Sequence, residues 1–164
     1  MNLSTKGRYA VMAMADLASQ GRGTTVSLAG IAERQSISLT YLVQLFNKLR
    51  HSGLVTSVRG PGGGYKLTAV PADIAISDIM FAVDEPFKTT RCSGGPGAGC
   101  ACGERCLTHD LWDALSAHIA SFLNAVTLED VIDGNPFSFV APGPGCRSIL
   151  GAPVGATGVP WANA

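Results

Sequence analysis

Three cysteines and a histidine, Cys92, Cys100, Cys106 and His109, fall within one short stretch of a 164-residue chain, with a further thiol, Cys102, among them. Thiolate and imidazole together make a ligand set for a soft metal ion or an iron–sulfur cluster. The stretch Arg91-Cys-Ser-Gly-Gly-Pro-Gly-Ala-Gly-Cys-Ala-Cys-Gly-Glu-Arg-Cys106 has almost no apolar side chains to bury. A segment of that composition does not organise itself around a core of its own, and a bound metal centre is the simplest organiser. Buried cysteines that act only as small hydrophobes are rarely spaced along a Gly/Pro-rich loop. Disulfides are the other reading. The start Met1-Asn-Leu-Ser-Thr-Lys-Gly-Arg8 has no apolar signal region and points to the cytoplasm, where clustered thiols are more often ligands or redox groups than bridges. If Thr108 caps a helix, His109 sits in its first turn, one turn from Cys106.

The elements that must position these groups follow from periodicity. A first helix is expected from Ser4 or Thr5 to about Gln20, with Tyr9, Val11, Met12, Met14, Ala15 and Leu17 giving a broad apolar face. Gly21-Arg-Gly-Thr-Thr breaks it. Ser27 then caps a short helix, Leu28 to Gln35, and Ser38 caps a third from Leu39 to about Ser52, whose Leu42, Leu45, Phe46 and Leu49 repeat at core spacing. Two helices joined by so brief a turn suggest a helix-turn-helix. After Gly53 the period changes to two: Leu54–Val58 and Tyr65–Leu67 read as strands joined through Gly60-Pro-Gly-Gly-Gly64. The Gly run lacks the Gly-Lys-Ser/Thr ending of a phosphate-binding loop and joins two strands, so it is the tip of a wing. The expected fold is therefore mainly α: a winged helix-turn-helix with a two-stranded wing, a cluster-binding loop and a long dimerisation helix.

Pro71 breaks the chain again, and Ser77 is expected to cap a helix that ends by Pro86. The cysteine loop follows, and then a single long helix from His109 to Val126, with Leu111, Trp112, Leu115, Ile119, Phe122, Leu123 and Val126 along one side. That face is wide and near a coiled-coil repeat, as expected of a helix that packs on a partner in a homodimer. His118 reads as a solvated helix residue, and Thr127–Val131 as a short terminal turn. The organisation expected is a DNA-binding domain over 1–70, a connecting helix and cysteine-rich loop over 71–107, a dimerisation helix over 108–133, and a disordered Gly/Pro/Ala-rich tail over 134–164 that contains Cys146 and Trp161. No apolar run approaches the ~20 residues a membrane span needs.

The charge is zero overall but unevenly spread. Residues 1–70 hold eight basic and two acidic side chains, +6, and the remainder four basic and ten acidic, −6. A basic module joined to an acidic one gives local attraction to DNA without general stickiness. The third helix would present Ser38, Thr40, Tyr41, Val43 and Gln44 to a duplex: the hydroxyls donate or accept, Gln44 can pair bidentately with adenine, and Val43 can meet a thymine methyl. Lys48, and Lys6 and Arg8 near the start of the first helix, suit phosphates, as does Arg50. Arg59, with Gly60 at the wing tip, can enter a narrow minor groove. A two-fold protein matches the two half-sites of a double-stranded operator.

The segments Leu3-Ser-Thr-Lys-Gly-Arg-Tyr-Ala10, Ile37-Ser-Leu-Thr-Tyr-Leu42, Val58-Arg-Gly-Pro-Gly-Gly-Gly-Tyr65, Ala82-Val-Asp-Glu85 and Cys106-Leu-Thr-His109 resemble the IscR-type iron–sulfur cluster regulators over roughly residues 1–133. The resemblance implies a homodimeric winged-helix transcription factor that binds a 2Fe–2S cluster through three cysteines and a histidine. By position these are Cys92, Cys100, Cys106 and His109, with Cys102 as the alternative middle ligand. It further implies control of iron–sulfur cluster assembly genes and the assembly machinery as cluster donor. Three features depart from the pattern: a longer loop between Cys92 and Cys100, the additional Cys102, and Val43 where better-known members carry an acidic residue. The neighbouring readings are a related sensor of nitric oxide or redox poise, and a winged-helix regulator with a structural Cys3His zinc site. An electron carrier or thiol oxidoreductase fits poorly, since the chain has no Cys-x-x-Cys pair and a wing has no use there. No Ser-His-Asp or paired-carboxylate arrangement suggests an enzyme.

Overall fold

Both amino-terminal helices begin at the hydroxyls that the sequence singles out. Helix α1 (Thr5–Ser19) is capped by Ser4, whose side chain accepts from the Gly7 amide, and α2 (Leu28–Gln35) by Ser27, which accepts from Gly30 at 3.1 Å. The computed structural model describes residues 4–21, 23–85 and 107–134. The expected cysteine loop, with Cys92, Cys100, Cys102 and Cys106, and all but the first residue of the expected tail lie outside the described residues.

The turn after α2 is set by Ser36, whose φ of 52° is left-handed. The amides of Ser36 and Ile37 close back onto Glu33 and Ala32, and Ile37 drops into the core. This tight reversal launches α3 (Leu39–His51) across α1 and α2. Leu42, Leu45, Phe46 and Leu49 form its buried face, at the helical spacing expected. Strands β1 (Val55–Val58) and β2 (Gly64–Leu67) then pair antiparallel, Val55 opposite Leu67 and Val58 opposite Gly64, so the fold is a winged helix-turn-helix.

The wing base is anchored by a third segment that periodicity did not reveal. Val26 and Tyr65 exchange both backbone hydrogen bonds, at 2.9 and 2.8 Å, an isolated bridge just ahead of α2. Phe46 meets the Tyr65 ring edge-on at 5.0 Å, so α3 and the wing share one aromatic contact.

Two expectations need correction. Ser77 does not cap the fourth helix: α4 (Ile76–Ala82) starts two residues earlier than that cap would allow, after Ala75. The Asp78 carboxylate accepts from the Ala75 amide, and Ser77 is buried within the helix, donating to Asn124 Oδ1 at 3.2 Å. Nor does the chain simply end in a turn after α5 (His109–Ala125). A backbone pairing, Ile76 N to Val126 O and Leu128 N to Ile74 O, brings it back into the core. Thr127 and Asp130 then form a reciprocal cap for α6 (Leu128–Ile132), which packs on α1. Leu128 and Val126 are as buried as the α1 and α3 core residues.

One buried charge ties α1 to α2. The Asp16 carboxylate is 7% exposed, and it accepts from Arg34 Nε and Nη2 and, at 2.7 Å, from Gln35 Nε2. Burial alone would raise its pKa, but these donors outweigh it and hold the carboxyl below its ordinary value. A carboxyl depressed in the folded state contributes stability above the unfolded pKa of about 3.9, lost as pH falls through the folded value. Asp16→Asn is therefore expected to cost about 1–3 kcal/mol at neutral pH. Urea melts at pH 7 and pH 3 measure it: the gap between wild type and variant should narrow at the lower pH, and a constant gap would assign Asp16 a packing role only.

Candidate functional site

The exposed face of the helix-turn-helix is built around the amino-terminal half of α3. Ser38 holds the N-cap position without a side-chain capping bond. Thr40 and Gln44 are exposed, and Val43 is exposed to 41%. Leu39, one turn before Val43, is 46% exposed. Two apolar side chains held out at i and i+4 beside polar ones make a surface that can meet thymine methyls. Leu39 was missed in the sequence because its position at the helix start reads equally well as core. Its spacing also points inward, three residues before Leu42 and seven before Phe46, so only the structure shows it exposed.

Tyr41 is half-buried, with its ring against that of Tyr9 in an edge-to-face contact at 6.0 Å. That contact joins the start of α1, which also carries Lys6 and Arg8, to α3. Lys48 lies two turns beyond Tyr41 on the same face of α3. Its ammonium pairs with Asp84 Oδ2 at 2.5 Å, and Lys6 Nζ donates to the Asp84 carbonyl at 3.4 Å. The pairing raises the pKa of Lys48 and lowers that of Asp84, chiefly through their mutual hydrogen bond. Asp84, assigned no role from sequence, is the second residue this face reveals. Arg59 and Gly60 are exposed at the wing tip, where Gly60 has a φ of 115°. Arg50, near the end of α3, is exposed as well.

Of the proposed metal ligands, His109 alone is among the described residues. It is the first residue of α5 and is 8% exposed, while Leu107 and Asp110 around it face outward. Along α5, Leu111, Trp112 and Phe122 are exposed, and a groove of about 440 Å³ between α4 and α5 is lined by Met80, Phe81, Ala120 and Leu123. His118 is exposed, as expected. No helix among the described residues is long and apolar enough to cross a membrane.

The sequence pattern of Rrf2, described as an iron-dependent transcriptional regulator, matches residues 3–134. The chain belongs to the Rrf2 family. Among Rrf2-like relatives, the HTH-type transcriptional regulator IscR of Vibrio atlanticus is 55% identical over 135 residues, covering 82% of this chain and 77% of that one. IscR of Yersinia enterocolitica is 52% identical over 141 residues, 86% of this chain and 85% of its own. The solved structure of T. potens IscR superposes with a TM-score of 0.67 at 37% identity, over 82% of this chain and 88% of that one. CymR, the global cysteine regulator of B. subtilis, superposes at 0.68 with 32% identity, over 82% and 98% of the two chains. The Rrf2 chain described here is thus an IscR-like DNA-binding transcriptional regulator and not an enzyme.

Proposed function

We propose that the chain acts as a homodimer that senses iron–sulfur cluster status through a 2Fe–2S cluster and controls the genes that build such clusters. The observation that carries this reading is His109: an imidazole buried at the first residue of α5, three positions after Cys106. A buried imidazole and three thiolates from Cys92, Cys106 and either Cys100 or Cys102 are a fitting donor set for a 2Fe–2S centre. A bound cluster would supply an oxidant-sensitive cross-link among these ligands. The iron–sulfur assembly machinery is its expected donor, and the cytoplasm its place of action.

The chain divides its labour accordingly. Residues 1–70 read DNA, 71–107 carry the cluster loop, 108–133 present the dimer helix, and 134–164 form the tail. Exposed Leu111, Trp112 and Phe122 on α5 supply apolar surface for a second copy. Cluster status then reaches the operator as a difference in DNA affinity between two states of the dimer. At the DNA, Ser38, Thr40, Tyr41, Val43 and Gln44 read bases, Lys6, Arg8 and Lys48 meet phosphates, and Arg59 with Gly60 enters the minor groove.

Visible absorption and iron and sulfide analysis of protein purified without oxygen test the centre. Brown protein with equal iron and sulfide is expected, with Cys106→Ala and His109→Ala each losing most of the colour while Cys100→Ala and Cys102→Ala differ from one another. Colourless protein with stoichiometric zinc would convert the site to a structural one and defeat the sensing proposal. Gln44→Ala is expected to cost about 1–3 kcal/mol of operator binding and to relax preference at one base pair, whereas Arg59→Ala weakens all sequences more evenly. Titration of both variants against a base-substituted operator panel distinguishes those patterns.

A further inference from the structure

We infer that Asp84 is a built-in competitor for the DNA backbone, holding the Lys6 and Lys48 ammonium groups across the α1–α3–α4 junction until phosphate replaces it. The inference rests on the reading of these two lysines as phosphate contacts.

Locally, aspartate is a poor choice for position 84. Its φ of 55° is left-handed, a conformation that asparagine and aspartate both tolerate, but it directly follows the C-cap of α4, whose partial negative charge disfavours a carboxylate. What an acid gains there comes from elsewhere in the chain. Lys48 Nζ lies 2.5 Å from Asp84 Oδ2, and Lys6, held near by a 3.4 Å bond to the Asp84 backbone carbonyl that any residue would offer, adds only its charge to the carboxylate. The backbone is held in place by the Asp84 and Glu85 amides, which donate to Phe81 and Met80 at 3.0 Å each.

The pair is also suited to exchange. The Asp84 side chain is 74% exposed and that of Lys48 40%. An ion pair so wetted contributes little to stability and opens readily. Lys48 shares a helix face with Tyr41 and Gln44, so a duplex seated on α3 brings its backbone to the same edge. A lysine that transfers from carboxylate to phosphate leaves an unpaired anion beside DNA. That anion costs affinity, and it takes up a cation that partly cancels the counterions released by the phosphate contact.

The test is fluorescence anisotropy of a labelled mixed-sequence DNA duplex, titrated with the full chain between about 50 and 200 mM KCl. Asp84→Asn keeps a side chain tolerated at left-handed φ. It is expected to bind about three- to tenfold tighter at low salt, with the log–log salt slope steeper by about one. Asp133→Asn makes the same change in net charge at the exposed C-cap of α6 and should stay within about twofold of wild type. With Lys6→Gln and Lys48→Gln in place, the Asp84→Asn gain should shrink by more than half. The proposal is overturned if Asp84→Asn behaves as Asp133→Asn does, or if its gain persists in full without the two lysines. If the Lys6→Gln, Lys48→Gln double variant binds as wild type does, the lysines are not phosphate contacts and the underlying reading falls too. If it binds more weakly while Asp84→Asn changes nothing, only the competitor role falls.

Discussion

Gly64→Ala is expected to unseat the wing and with it most of the DNA affinity. A Cβ on Gly64 would overlap the Val26 carbonyl oxygen and lie 2.5 Å from its carbon and 2.9 Å from the Ser27 amide nitrogen. All three are backbone atoms, with no side chain to swing aside. Relief requires separating β2 from the segment before α2, which breaks both Val26–Tyr65 hydrogen bonds and disturbs the Ser27 cap. Two backbone bonds at about 1 kcal/mol each and a displaced cap at a similar cost put the loss at roughly 3 kcal/mol or more. Chemical denaturation checks the magnitude, and a loss below 1 kcal/mol would mean that the wing base is not closely docked. Gly7→Ala is a milder comparison, because its Cβ would meet the end of the Met80 side chain, which can move.

Phe46→Ala should cost about 3–5 kcal/mol, a large fraction of the stability of a domain this size. Phe46 is fully buried within the core and stacks edge-on with Tyr65 at 5.0 Å. Truncation leaves a cavity where α1, α3 and the wing converge, and loses the aromatic contact as well. Phe46→Leu retains most of the volume and should lose only about 1 kcal/mol. The two variants separate stability from geometry. If Phe46 also sets the angle between α3 and the wing, the folded Phe46→Leu protein will bind operator more weakly than its small stability change explains. Equal operator affinity in Phe46→Leu and wild type would confine the ring to a packing role.

These two residues mark where sequence reasoning reached and where it stopped. Phe46 was legible as core because Leu42, Leu45 and Leu49 recur with it at helical spacing, and the hydrophobic effect enforces that pattern locally. The caps at Ser4 and Ser27 were legible for a similar reason, since a hydroxyl satisfies the orphan amides of its own helix. Gly64 looked like part of a flexible tip. Its role lies in its distance to Val26, 38 residues earlier in the chain, and no local pattern encodes such a distance. Ser77 misled because a serine ahead of an apolar run has the composition of a cap. The long-range pairing of Ile74 and Ile76 with Leu128 and Val126 decided where α4 begins.

The amino-acid sequence by itself determined the helix-turn-helix and wing, the basic excess of residues 1–70, the gathering of thiols and an imidazole in one short stretch, and the likeness to IscR-type regulators. Each of these depends on residue type and near-neighbour spacing, which a one-dimensional pattern preserves. Only the tertiary structure decided that α6 returns to the amino-terminal core, that Asp16 is buried under Arg34 and Gln35, and that Asp84 gathers Lys6 and Lys48. Those are contacts between groups far apart along the chain. They exist because close packing must satisfy buried backbone and charged groups wherever the chain happens to bring them together.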